Sequence, residues 1–111
     1  MLNFPNLSKV PPRIQPFSFG EDSSTSVLEQ GETASVSCLM LSGDLPISFL
    51  WLFNGAPLPA EGGDVSIVQP SKKLSVLSID ALSFEHVGNY SCVANNTAAR
   101  SVHTAALLVN G

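Results

Sequence analysis

Two cysteines with a tryptophan between them constrain this chain more than any other feature. Cys38 and Cys92 are its only cysteines and Trp51 is its only tryptophan. Its single tyrosine stands just before the second cysteine in Gly88-Asn89-Tyr90-Ser91-Cys92. Both cysteines lie in runs where apolar and small polar residues alternate, which is typical of half-buried β-strands. The spacing therefore predicts strands from the two halves of the chain that meet around one core.

The composition favours a single all-β domain. The chain has 111 residues, of which 44% are hydrophobic and only 13% charged, and eight prolines and eight glycines separate its short apolar runs. Its net charge of −4 argues against nucleic acid or an anionic membrane surface as a partner. No apolar run approaches the roughly 20 residues that span a bilayer. The first five residues are too short a stretch for a signal peptide, so we expect a mature fragment.

The domain boundary is predicted near Val10. Residues 1–9 show no periodicity and are interpreted as an N-terminal extension. Lys9-Val10-Pro11-Pro12 reads as a stiff, extended lead-in, because proline restricts its own φ angle and the residue before it. We therefore expect one domain over residues 10–111.

Eight strands, lettered A, A′ and B to G, are predicted from alternation and from the turn residues between them. They span residues 13–19, 26–30, 33–40, 47–53, 64–69, 72–79, 89–95 and 102–109. Asn54-Gly55 predicts a tight turn after strand C, from which the chain crosses to the other sheet, and Pro70-Ser71 predicts the turn between D and E. By parity, the inward side chains of the core include Trp51, Leu77, Ile79 and Tyr90.

These residues resemble an immunoglobulin domain of the I-set, through Cys38, Trp51, the run 77–82 and the run 88–94. The resemblance implies a sandwich of two antiparallel sheets, ABED and A′GFCC′, pinned by a disulfide between Cys38 and Cys92. It also implies that the Tyr90 hydroxyl bonds back to the backbone at the E to F corner. Two buried free thiols are the alternative. A disulfide closing roughly 55 residues would contribute about 4 kcal/mol and would indicate an extracellular protein.

A closer resemblance is to arthropod Dscam-type adhesion receptors. Residues 10–17 and 43–46 are similar to the corresponding parts of their seventh immunoglobulin domain, and shortened chelicerate members begin with such a domain. The resemblance implies a variable recognition domain of a membrane-anchored receptor, displayed at the cell surface and followed by further immunoglobulin or fibronectin-type domains. It also implies that the domain binds itself as an antiparallel, two-fold dimer through its ABED sheet.

Two positions depart from the family pattern. His86 replaces the usual acid of the corner before Tyr90, and strand D contains no arginine, so we expect the buried corner ion pair of many relatives to be absent. Ala99 replaces the usual glycine of the F to G hairpin, which puts the geometry of that turn in doubt because alanine disfavours positive φ.

The sequence contains no pattern typical of an enzyme. His86 and His103 are the only imidazoles and are placed at opposite ends of the sandwich, and no serine stands in a Gly-x-Ser-x-Gly frame. A metal site would need three or four ligands, and both cysteines are assigned to the bridge. We therefore expect no catalysis and no cofactor.

Three Asn-x-Ser/Thr sequons are candidates for N-glycosylation, at Asn6, Asn89 and Asn95. Each could equally be a coincidence of composition. By parity, Asn89 projects outward from strand F on the CFG side, where a glycan would crowd the sheet.

The outer face of the ABED sheet is the predicted homophilic interface, because it carries no sequon and its small serines permit close approach. The predicted interface residues are Thr33, Ser35, Ser37, Leu39, Ser66, Val68, Leu74, Val76 and Ser78. Two alternatives stay open. Outward Leu50 and Leu52, with Val93, would give the CFG sheet an apolar strip for a different protein. The domain could also be a spacer in a long ectodomain.

Overall fold

The computed structural model describes residues 9–20, 25–59 and 63–111. These residues form nine β-strands and one short 3-10 helix, Phe84–His86. The strands are β1 (Arg13–Ile14), β2 (Thr25–Glu29), β3 (Ala34–Ser42), β4 (Ser48–Phe53), β5 (Ala56–Pro57), β6 (Val65–Ser71), β7 (Leu74–Ile79), β8 (Gly88–Asn95) and β9 (Arg100–Asn110). The alternation in the sequence is reproduced as alternating burial along β3 and β7.

Two sheets pack face to face and confirm the predicted immunoglobulin-like sandwich. The four-stranded sheet has the order β1-β3-β7-β6, and the five-stranded sheet has the order β2-β9-β8-β4-β5. The pairings are antiparallel except that β2 runs parallel to β9.

The core is pinned at its centre by the predicted disulfide. Cys38 in β3 and Cys92 in β8 are bonded and fully buried. Trp51 packs beside them, and its indole Nε1–H donates a hydrogen bond of 2.9 Å to the Ser75 hydroxyl on the opposite sheet. A buried indole N–H needs such a partner, because leaving it unpaired would cost about 1–3 kcal/mol. Leu77 and Ile79 are fully buried, as predicted.

The predicted tyrosine corner is present. The Tyr90 hydroxyl donates a hydrogen bond of 2.7 Å to the backbone oxygen of His86. Gly88 makes this corner possible, since its φ is +157° and a side chain there would come within 2.7 Å of Asn54 and Phe53. The glycine two residues before the tyrosine is therefore required by close packing against β4 and the turn after it.

The predicted A strand is shorter than expected. Residues 13–19 were predicted as one strand, but β1 ends at Ile14. Pro16 cannot donate to a ladder, and the chain then turns toward the five-stranded sheet. There the Phe17 ring packs on Trp51 and on His103 of β9. His103 Nε2 also lies 2.8 Å from the Phe17 oxygen. Phe17 thus packs, partly buried, against the core from the side of the five-stranded sheet, and the strand ends before it.

The turn between D and E was predicted two residues too early. Pro70 and Ser71 belong to β6, and Lys72-Lys73 form the turn. The ladder between β6 and β7 shifts register between Val68 and Ser71. Because β6 is an edge strand and the irregularity lies there, proline is tolerated without loss of a ladder bond.

Two hairpin turns follow different chemistry. Asn54 and Gly55 both have positive φ, 49° and 85°, as a two-residue hairpin requires. Pro57 then pairs back onto Leu52 as β5, so the chain does not cross to the other sheet directly as expected. The predicted difficulty at Ala99 is not found. Residues 96–99 have no positive φ, and Asn96 Oδ1 accepts hydrogen bonds from the backbone of Ala98 and Ala99.

Within residues 9–20, 25–59 and 63–111, no helix is long and apolar enough to cross a membrane.

Candidate functional site

The outer face of the four-stranded sheet gathers the predicted interface residues in registered rows. Ser37, Val76 and Val68 lie side by side on β3, β7 and β6, and Leu39 lies opposite Leu74. A neighbouring row consists of Ser35, Ser78 and Ser66. Residues paired in an antiparallel ladder share a face. The rows therefore form one continuous surface, in which the row of Ser37, Val76 and Val68 has a row of serines on one side and Leu39 with Leu74 on the other.

All nine predicted residues are exposed or half-buried on this face. Val68 is 53% exposed and Ser37 is also exposed, whereas Val76 between them is half-buried. Ser35 and Ser78 are within hydrogen-bond distance of each other, at 3.3 Å. Thr33, just before β3, donates to the Asp80 oxygen at 2.9 Å, so its hydroxyl is already engaged within the domain. The surface is flat because most of its side chains are small.

The sequence reasoning missed one apolar residue of this face. Leu41 continues the outward alternation of β3 beyond Leu39 and is exposed. The alternation that places Leu39 on the outer face also places Leu41 there, two residues further along the strand. The prediction ended strand B at residue 40, whereas β3 continues to Ser42.

Charge is distributed unevenly along the four-stranded face, which parity alone did not predict. At the end where β3 starts and β7 finishes lie the carboxylates of Glu32 and Asp80, both exposed. At the opposite end, Lys72 and Lys73 form the turn before β7, and Arg13 pairs with the last residue of β3. The face thus has an acidic end and a basic end, separated by the length of β7.

Within the described residues, these charges make no ion pair with one another. The one close contact there between an imidazole and a carboxylate joins His86 and Asp64, at 2.7 Å. The Glu32 carboxylate accepts a hydrogen bond from the Glu29 backbone N–H at 2.7 Å. The exposed side chains at both ends of the face can therefore meet charges outside the domain.

The outer face of the five-stranded sheet is organised differently. Leu50, Val93 and Val102 lie side by side on β4, β8 and β9. Val93 was predicted to be part of an exposed strip, but this is wrong, since only 3% of it is exposed. It lies outside the central core, covered by its neighbours in the row, Leu50 (40% exposed) and Val102 (53% exposed). A second apolar pair, Val27 and Leu108, lies in register at the β2–β9 edge.

The described sequons fall on or beside this second face. Asn89 is exposed at the start of β8, in register with Ala106 of β9. Asn95 is half-buried at the other end of β8, and its Oδ1 accepts a hydrogen bond of 2.9 Å from Arg100 Nε. Asn6 lies outside the described residues. Neither of the two placed sequons touches the four-stranded face.

A polar pair occupies the E to F corner, where none was expected. His86 Nε2 lies 2.7 Å from Asp64 Oδ2, and His86 Nδ1 accepts a hydrogen bond of 2.9 Å from the Ser83 N–H. The ring proton is therefore on Nε2 and is donated to Asp64. The acid and its partner have exchanged positions relative to the family pattern. The Asp64 side chain is 64% exposed, so this hydrogen-bonded pair differs from the buried ion pair that was expected to be absent.

Burial makes the Tyr90 phenol a weaker acid than usual. Removal of its phenol from water raises the pKa of Tyr90 well above its ordinary value of about 10, and the nearby Asp64 carboxylate raises it further. The neutral phenol is the form that donates to His86. The corner is thus built around a protonated tyrosine.

No catalytic arrangement is assembled in the part of the chain that the structure describes. Its acids, histidines and cysteines form no group of three or more that could hold a metal ion. His86 and His103 are each engaged in contacts of the fold. Within the same residues, no buried side-chain nitrogen or oxygen lacks a hydrogen-bond partner, so none is left over for a ligand.

Comparison with known proteins gives a consistent result. A family model described as "Immunoglobulin domain" matches residues 11–96. Cell adhesion molecule Dscam1 of Drosophila melanogaster is 41% identical over 101 residues, covering 91% of this chain and 5% of that protein. Cell adhesion molecule DSCAM of Rattus norvegicus has the same identity and coverage. The chain therefore spans about 5% of the length of these curated relatives.

A solved structure agrees with these sequence matches. The crystal structure of the Dscam1 Ig7 domain, isoform 5, superposes with a TM-score of 0.82 at 40% sequence identity. The superposition covers 90% of this chain and 97% of that one. The resemblance to the seventh immunoglobulin domain of Dscam-type proteins is confirmed over the fold as well as over the motifs.

Proposed function

The chain belongs to the immunoglobulin domain family, and from that premise we propose that it is an extracellular recognition module that binds a second copy of itself. The family is non-enzymatic, in agreement with the expectation that the chain is not an enzyme. The contact proposed is an antiparallel, two-fold dimer through the outer face of the four-stranded sheet. Its whole receptor would be a cell adhesion molecule at the cell surface, with further immunoglobulin or fibronectin-type domains after residues 10–111.

The observation that carries this proposal is the polarity of the face. A band of apolar residues crosses its centre, with acids at one end and bases at the other. A two-fold axis that lies in the interface and runs across the strands pairs this face with the same face of a second copy and places opposite ends of the two copies together. Lys72 and Lys73 of one copy would then lie near Asp80 of the other. Parallel stacking would instead put like charges together, so the charges favour the antiparallel arrangement.

The apolar centre would meet across the axis. Val76 lies on β7, an inner strand of the sheet, with Val68 beside it. Burying these side chains against their symmetry mates removes apolar surface from water at about 25 cal/mol per Å². Ser37 in the same row is small and leaves room for the partner's valines to approach.

The area of the face is compatible with a weak, specific dimer. A nine-residue strand such as β3 is roughly 30 Å long, and four strands with their side chains are roughly 20 Å wide. The projected area is then on the order of 600 Å² per copy, and a specific interface needs about 1,200 Å² in total. A contact at this lower limit would depend on many copies on apposed membranes for strong adhesion.

Heterophilic binding is the second candidate, favoured by the row of Leu50, Val93 and Val102 on the other face. In that case the five-stranded sheet would contact a different protein, and the chain would ignore its own kind. A spacer role would leave both faces without a partner of their own. Both alternatives predict a domain that is monomeric in solution.

Sedimentation equilibrium of the disulfide-intact domain over a wide concentration range tests the proposal. We expect a reversible monomer to dimer shift that Val76→Asp abolishes, because two carboxylates would face each other near the axis. Val102→Asp on the five-stranded face is the matched control and should leave the dimer intact. A dimer that survives Val76→Asp and is lost in Val102→Asp would transfer the interface to the other sheet.

A further inference from the structure

Asn89 presents an unused amide on the surface of the folded domain. Its side chain is exposed and makes no hydrogen bond within the described parts of the chain. Only its backbone is engaged, since its N–H donates to Asn54 Oδ1 at 2.9 Å and its carbonyl accepts from the Asn54 N–H. The strand therefore holds the Asn89 side chain outward without occupying it. The hydroxyl residue of its sequon, Ser91, follows on the same side of β8.

The other placed sequon differs in each of these respects. Asn95 is half-buried, and its side chain accepts the hydrogen bond from Arg100. The middle residue of that sequon, Asn96, is fixed by four hydrogen bonds of its side chain. Its Nδ2 donates to the carbonyls of Val10 and Asp44, and its Oδ1 accepts from Ala98 and Ala99. The amides of both asparagines in this sequon are therefore already engaged within the fold.

Small residues stand next to Asn89, and larger apolar residues lie further along the same face. Across the β8–β9 ladder Asn89 faces Ala106, and the next outward residue of β8, Ser91, lies 2.7 Å from the Thr104 hydroxyl. The following outward residue of β9 is Leu108, which pairs with Val27 of β2, and both are exposed. An attached sugar chain would therefore meet little obstruction beside the amide and would have apolar side chains to cover.

We propose that Asn89 carries an N-linked glycan that covers the apolar outer face of the five-stranded sheet. In the transfer, Asn89 Nδ2 loses one proton to solvent and bonds to the anomeric carbon of an oligosaccharide carried on a polyprenyl diphosphate. The bond from that carbon to the diphosphate oxygen breaks, and the diphosphate leaves with the electron pair. The product keeps the amide oxygen and adds a bulky, solubilising group at a surface position.

This inference rests on the proposed extracellular location but not on self-association. Its consequence is a division between the two faces. The five-stranded face would be closed to proteins by sugar, while the four-stranded face, without a described sequon, would stay open. A glycan would also explain how a secreted domain tolerates the exposed residues Leu50, Val102, Val27 and Leu108 on one side.

Peptide mapping of the chain secreted from insect cells tests the assignment. We expect mass spectrometry to find a glycan at Asn89, and treatment with peptide-N-glycosidase to convert that residue to aspartate. Asn95 should remain unmodified. Asn89→Gln should lose the glycan and stay folded, because the side chain has no partner to lose, whereas Asn95→Gln should keep it. An unmodified Asn89, or equal occupancy at Asn95, would overturn the proposal.

Dye binding tests the covering role separately. Enzymatic removal of the glycan from the folded domain should raise the fluorescence of a dye that binds apolar surfaces at least about twofold. The double variant Leu50→Ser/Val102→Ser should reverse this rise. A fluorescence that does not change on deglycosylation would show that the sugar points away from the face. Sedimentation would report on self-association in the same samples, so the two proposals can fail independently.

Discussion

The two outer faces of the sandwich are made from strands of the same kind but differ in what they bury. On the four-stranded face the central row is Ser37, Val76 and Val68, and it stays accessible. On the five-stranded face the central row is Leu50, Val93 and Val102, and its middle residue is removed from water. In the row that contains a serine, the two valines keep contact with solvent. In the row of three larger branched residues, the outer two cover the middle one.

This difference shows that an apolar side chain on the outer face of a sheet is not always exposed to solvent or to a partner. Val93 contributes to the stability of the domain from outside the core, because its neighbours cover it. Val68 lies on the edge strand β6 rather than on an inner strand, and 53% of it is exposed, so it can contact a partner. Alternation along a strand predicts which way a side chain points. Whether that side chain is covered depends on the residues beside it on the paired strands.

The largest effect is expected from cutting the link between the two faces. Cys38 in β3 and Cys92 in β8 close a loop across 54 positions of sequence, which in the chain-entropy model contributes about 4 kcal/mol. The double variant Cys38→Ala/Cys92→Ala should lose about that free energy of unfolding. Urea denaturation followed by the fluorescence of Trp51 measures it. The reduced native chain is the control, and a loss below about 1 kcal/mol would contradict the central role of the bridge.

Two valine to alanine variants, one on each face, compare how much a covered and an exposed outer side chain contribute to stability. Val93→Ala should lower the free energy of unfolding by about 2 kcal/mol, since the side chain is almost fully buried. Val68→Ala should change it by less than about 0.5 kcal/mol, because that side chain is 53% exposed. Both are read from the same urea titration on monomeric protein. Equal losses in the two variants would remove the distinction drawn here.

Alkaline pH should weaken the five-stranded side through Tyr90. Burial raises the pKa of Tyr90 in the folded state above its unfolded value. The contribution is therefore fully present below about pH 10 and is lost as pH rises through the folded pKa, by about 1.4 kcal/mol per pH unit. Since Tyr90 is the only tyrosine, ultraviolet absorbance of the phenolate reports its titration directly.

Tyr90→Phe is the control for that titration. It loses the hydrogen bond to His86 at every pH, so its stability should be lower but should lack the alkaline decline due to this group. An absorbance step near pH 10 in the folded chain, without unfolding, would show that the phenol is not protected as the structure indicates.

The smallest effect concerns the charged ends of the four-stranded face. Lys73→Glu should weaken self-association a few-fold, because exposed ion pairs contribute about 0.2–1 kcal/mol each. Mixing it with the Asp80→Lys variant should restore association as a heterodimer, which added salt should weaken because it screens the attraction between opposite charges. Arg100→Glu, on the five-stranded sheet, is the control and should have no effect. Recovery by the mixed pair is the outcome that an antiparallel contact requires, and its absence would contradict that orientation.

Much of the fold could be predicted because alternation reports burial on either side of a strand. The inward residues of β3 and the disulfide were predicted correctly, since a cysteine in step with alanine, valine and methionine points to a shared core. The A strand and the D to E turn were predicted less well. Pro16 was predicted to lie inside strand A, but the chain leaves the sheet there and Phe17 packs on Trp51. Pro70 was predicted to form the turn, but it lies in β6, where the ladder with β7 is irregular.

The corner pair shows a different limit of sequence reasoning. Strand D contains no arginine and His86 replaces the usual acid, so no ion pair was expected at the corner. The structure brings Asp64 to His86 with the roles exchanged, across 22 positions of sequence. A complementary acid and imidazole were present in the sequence, but only the tertiary structure decided that these two meet.

The sequence by itself determined the sandwich, its pin and the direction of each strand's side chains, because these follow from the period of two and from local turn chemistry. The tertiary structure alone decided which outward residues are covered, where opposite charges collect, and which sequon stands free. Those properties depend on the register between strands that are distant in the chain. Because packing of the whole core fixes the register, a local sequence pattern cannot predict it.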